Sequence, residues 1–160
     1  MSQSLKVANT SMEGCVMLAL STFRKNEKAT DTAIAKSSDI RKLFVVYVVD
    51  INLARYFVGA EPGLLPDLKD ICEADLLEQH EKVGHEQVAA IRKRAEKEGI
   101  EVKTHVQLGR FAILCLEIAQ KEKPSVIITT RSRRPEWVKR FFGAPVDELI
   151  AKAGCPVVVV

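Results

Sequence analysis

Apolar and polar positions along the chain alternate between short unbroken runs and longer periodic stretches. Residues 15–20 form a short apolar run and predict a first strand. Asn26 stands where a helix N-cap would, with Ala29, Ala33 and Ile34 at helical spacing behind it. Residues 43–49 are continuously apolar and rich in β-branched side chains, the pattern of a strand covered on both faces. Residues 50–66 hold Gly59, Pro62, Gly63 and Pro66 and read as a loop of a length that usually carries function or movement. A long helix is predicted over 67–98 by two apolar stripes. Leu68, Ile71, Cys72 and Leu76 make the first, and Val88, Ile91 and Ala95 the second. Gly84 between them is expected to shift or weaken the helix, and Gly99 suits the left-handed residue that ends it.

Ile100, Val102, Thr104 and Val106 alternate with polar residues, so 100–107 predicts a strand near a sheet edge. Gly109 turns the chain into a helix over 111–121, which Pro124 stops. A fourth strand is predicted over 126–129. A last helix follows over 145–153, with Pro145 at its first position and Gly154 after it. Residues 156–160 make the fifth strand. Five strands alternating with four helices predict an α/β fold: an open parallel sheet with helices on both faces. Ligands of such sheets lie beyond the carboxyl ends of the strands, where the strand order reverses. Ser21 to Phe23, the chain after Val48 and residues 129–145 therefore become the places to look for a site.

The 160 residues suit one domain, read as a lead-in over 1–13 and a domain over 14–160. No run approaches the roughly 18 to 20 apolar residues that span a bilayer, and residues 1–14 lack a secretory pattern. A cytoplasmic location without membrane attachment is the expectation. Cys15, Cys72, Cys115 and Cys155 form no CxxC pair and no zinc spacing. Three of them lie among apolar neighbours, so buried thiols are expected rather than redox or metal sites. The net charge is +3, yet residues 131–140 alone set Arg131, Arg133, Arg134, Lys139 and Arg140 against Glu136. The basic character thus belongs to one loop and argues against a broad nucleic-acid face.

The closing run from Val146 through Asp147-Glu148-Leu149-Ile150 to Gly154-Cys155-Pro156 and Val157-Val158-Val159-Val160 resembles the last helix and "CPVxVV" strand of the universal stress protein family. Val45 to Asp50, Gly109 and Val126-Ile127-Ile128 fit the same frame, so the resemblance covers about 14–160. It implies the adenine nucleotide alpha hydrolase-like fold with strand order 3-2-1-4-5. One group of the family binds ATP and resembles itself in a loop of form G-x2-G-x9-G-S/T. Glycines there let backbone N–H groups reach the phosphates. Anchored on Gly143, the first two glycine positions fall at Thr130 and Arg133 and the serine position at Ala144, followed by Pro145. Only Gly143 matches. The Asp that the ATP binders carry at the end of strand one falls at Ser21.

These departures remove what a triphosphate needs. Thr130 and Arg133 put Cβ atoms where backbone must come close, Pro145 lacks an N–H, and Ala144 lacks a hydroxyl. Each lost contact to a charged group is worth about 1 to 3 kcal/mol, so the expectation is a protein that does not bind ATP in the family's usual way and needs no cofactor. The cleft is assigned to Ser21, Val48, Thr129, Thr130, Arg131, Arg133, Arg134, Gly143 and Ala144. Two alternatives stand beside this reading. One is an ATP-binding switch with a degenerate loop. The other is a site in which Arg131, Arg133 and Arg134 grip a different phosphorylated or anionic ligand.

Trp137, Phe141 and Phe142 accompany the arginines, and a basic stretch with aromatics can stack bases, but pinning a loop to its own domain or to a partner is the simpler reading. His80, His85 and His105 show no i, i+4 pairing and no nucleophile elbow is visible, so independent enzyme activity is not expected. Val157, Val158, Val159 and Val160 end the chain as an apolar edge strand. Pairing with a two-fold mate would cover it, as the family often does, so a homodimer is expected, with an unidentified protein partner as a further possibility.

Overall fold

The computed structural model describes residues 12–22, 25–52, 63, 66–131 and 145–160. Five strands, β1 (Val16–Ser21), β2 (Lys42–Asp50), β3 (Glu101–Gly109), β4 (Val126–Thr129) and β5 (Val157–Val159), alternate with four helices. The helices are α1 (Glu27–Ile40), α2 (Pro66–Lys97), α3 (Phe111–Glu122) and α4 (Pro145–Lys152). The strands form one sheet in the order β3-β2-β1-β4-β5, every neighbouring pair parallel. Reversal of direction at β1 sends successive right-handed crossovers to opposite faces, which leaves β1 and β2 covered on both sides. That is why all six residues of β1 and eight of the nine in β2 are buried.

Strand periodicity divides the core in two. On one face Leu18, Leu20, Val45, Tyr47 and Ile128 meet Ala33 and Ile34 of α1 and Val88, Ile91 and Ala95 of α2. On the other, Met17, Ala19, Val46, Val48 and Ile127 meet Phe111, Leu114 and Cys115 of α3 and Val146 and Leu149 of α4.

The element order matches the expected one, and β3 lies at a sheet edge as its alternation predicted. The strand runs on to Gly109 because β2 gives it a partner at each step, ending with Asp50 opposite Gly109. Two local expectations are corrected. Asn26 precedes α1, but its side chain makes no capping bond. Its Nδ2 instead donates to Gln87 Oε1 of α2 at 2.9 Å, a tie between helices. Gly84 neither shifts nor breaks α2, which runs unbroken through it. A Cβ there would lie 2.6 Å from Tyr47 Cδ1, so the glycine lets the helix backbone rest on the aromatic ring. Gly99 does end α2 with a positive φ of 75°.

Cys15 and Cys115 are buried, Cys155 is half-buried and Cys72 is exposed. Among the described residues no His, Cys, Asp and Glu side chains gather in a group that could hold a metal, and no helix is long and apolar enough to cross a membrane. Most of the 50–66 loop and residues 132–144 lie outside the described residues.

At the far edge, Pro156 O accepts from Ile127 N–H and Val160 N–H donates to Thr129 O. Peptide groups alternate sides along a strand, so Val157 and Val159 direct their N–H and C=O away from β4. Among the described residues this is an open edge of half-buried valines, with Val160 43% exposed.

Candidate functional site

The carboxyl ends of β1, β2 and β4 converge where the strand order reverses. Ser21 closes β1 and pairs in register with Val48 of β2. On the other side Ala19 pairs with Thr129 of β4. β4 ends at Thr129, so Thr130 and Arg131 leave the sheet at the same end as Ser21. Four predicted positions, Ser21, Val48, Thr129 and Arg131, are thus brought to one end of the sheet, with Thr130 between the last two.

Their environments differ. Val48 is fully buried and belongs to the core beneath the site. Thr129 is also buried, and its Oγ1 donates to Ala19 O at 2.8 Å, which spends the hydroxyl inside the sheet. Thr130 is 5% exposed and its Oγ1 donates to Arg131 O at 3.3 Å. Ser21 is 1% exposed, yet its Oγ has no hydrogen-bond partner among the described residues. A buried hydroxyl left unpaired costs free energy unless another group supplies the bond. Arg131 reaches outward, and its Nη1 lies 2.8 Å from Asp147 Oδ1 in the first turn of α4. Arg133, Arg134, Gly143 and Ala144 lie outside the described residues. Pro145 does open α4.

Three participants were not assigned from the sequence. Thr22 and Asp50, both buried, meet where β1 and β2 end, with the Asp50 N–H donating to Thr22 Oγ1 at 3.3 Å. Asp50 Oδ1 then accepts from Asn52 N–H at 2.9 Å and shapes the start of the following loop. Asp147 is the third. Its signal was available, because an acid in the first turn of the helix that returns to the β4 end is favoured by the helix dipole and can meet a cation leaving β4.

A separate cavity of about 720 Å³ opens between α1 and α2 on the other face. Its polar walls are largely spent on ties between those helices, Asn26 to Gln87 and Asp31 to Arg94 at 2.7 Å, so the strand ends remain the candidate site.

The profile of the universal stress protein family matches residues 16–160. The chain belongs to the universal stress protein family. A universal stress protein of Methanocaldococcus jannaschii is 28% identical over 127 residues, 79% of this chain and 68% of that one. The fold is shared with the universal stress protein UspA from Lactobacillus plantarum, at TM-score 0.67 and 14% identity, covering 92% of this chain and 98% of that one. It is shared also with a universal stress protein in complex with cAMP, at TM-score 0.55 and 12% identity, covering 92% and 97%. Family membership makes this a stress-response protein.

Proposed function

We propose that this universal stress protein is a non-catalytic, homodimeric regulator whose cleft does not hold ATP in the manner of the family's ATP binders. The observation that carries the reading is Ser21. Where the ATP binders place a carboxylate, this chain has a buried neutral hydroxyl. Pro145 at the start of α4 supports it, since the first position of that helix offers no N–H. The open β5 edge, with outward peptide groups at Val157 and Val159, supports pairing with a second copy. Calorimetric titration with ATP tests the reading; no saturable heat in the micromolar range is expected.

A second reading is favoured by Arg131. It follows β4 at the end of the sheet where Ser21 closes β1, and the Ser21 Oγ lacks a partner among the described residues. The pair suits a small oxyanion or phosphomonoester better than a triphosphate threaded along a glycine backbone. The cAMP carried by one structural neighbour is compatible with a nucleotide of that size, which keeps a degenerate nucleotide switch as a form of the same reading.

A further inference from the structure

We propose that Asp147 is a built-in counter-ion that holds the cleft in a low-affinity state by occupying the guanidinium of Arg131, and that an incoming oxyanion must displace it. The inference rests on the second reading above and adds the regulation of that site.

The geometry is specific. Arg131 is the first residue beyond Thr130 at the end of β4, and Asp147 lies in the first turn of α4. Among the described residues the contact runs through Nη1 alone, to Oδ1 at 2.8 Å, and a guanidinium carries five N–H donors. Both side chains are more than half exposed, 53% and 58%, so an oxyanion can reach Arg131 from solvent, where it competes with the Asp147 carboxylate. Asp147 is nonetheless kept in place, because a carboxylate in the first turn is favoured by the helix dipole. An oxyanion approaching Arg131 therefore meets a fixed negative charge a few ångströms away. Glu148 provides an internal comparison. It stands one residue along the same helix but turns to Lys152, with Nζ to Oε1 at 3.1 Å.

Binding of inorganic phosphate to the full chain, followed by ³¹P NMR at low ionic strength, tests this. Asp147→Asn is expected to tighten phosphate binding about tenfold, the scale set by removing one charge beside a dianion in water, and the gain should shrink as salt is added. Glu148→Gln removes the same charge and should leave affinity unchanged. Adding Arg131→Gln to Asp147→Asn should abolish the gain. The proposal is overturned if Asp147→Asn leaves binding unchanged or weaker, or if the gain survives loss of Arg131. Phosphate binding that needs Arg131 but ignores Asp147 would sink the counter-ion alone. Absence of binding in both wild type and Asp147→Asn would sink the oxyanion reading with it.

Discussion

At Gly84 the backbone of α2 lies against the ring of Tyr47, with no room for a methyl group. Two effects of Gly84→Ala oppose each other. Alanine favours a helix by about 0.5–1 kcal/mol, whereas forcing a carbon to 2.6 Å from a buried ring costs about 1–3 kcal/mol. The clash should win, so urea unfolding should show Gly84→Ala destabilised by about 1–2 kcal/mol. In a Tyr47→Val background the same change should cost less or stabilise; equal costs in both backgrounds would contradict the contact. Cys15 gives a second test. Burial, with Glu122 adding to it, pushes the thiol up to about 11 from 9.0. A raised value means the folded chain holds the proton more tightly than the unfolded chain. That stability is fully present below about pH 9 and is lost as pH climbs through about 11. Two units correspond to about 2–3 kcal/mol. Unfolding free energy should therefore fall more steeply between pH 9 and 11 in the wild type than in Cys15→Ala, and parallel slopes would contradict this account.

Elements were legible where local pattern and tertiary burial agree. The unbroken 43–49 run marks a central strand because both of its faces carry helices. The alternation of 100–107 marks an edge strand because the face carrying Lys103, His105 and Gln107 is less covered. Contacts between distant parts of the chain were not legible. Asn26 looks like a helix cap, yet its partner Gln87 is 61 residues away. Gly84 reads as a helix weakener because Tyr47 is invisible to local propensity. At the site, Ser21, Thr129 and Arg131 could be placed by strand ends alone. The Arg131–Asp147 contact depends on how the end of β4 and the start of α4 meet, and the state of the Ser21 hydroxyl, without a partner among the described residues, depends on what surrounds the end of β1. The last strand carries its own prediction. Val159 directs its N–H away from β4, so Val159→Pro removes an outward donor and part of its packing on the core while sparing the bonds to β4. Light scattering should then show a wild-type dimer become a folded monomer; a dimer that persists would mean another interface.

On the scale of the whole molecule, the two sheet edges are treated differently. At β3, Arg92 Nη2 donates to the Val102 carbonyl at 3.3 Å, and Lys103 bonds Glu122 at 2.8 Å. Charged side chains along an edge discourage further strand pairing. At β5 the described edge carries valines alone. Among the described residues one edge is open to strand pairing while the other is guarded, and at the strand ends stand a neutral Ser21 and an Arg131 paired with Asp147. The claim on which this picture turns is that the cleft refuses a triphosphate. Isothermal titration of the full chain with ATP and Mg²⁺ at near-physiological salt measures it directly. The account predicts no saturable heat up to high micromolar ATP, and one-to-one binding per chain at micromolar affinity would contradict it.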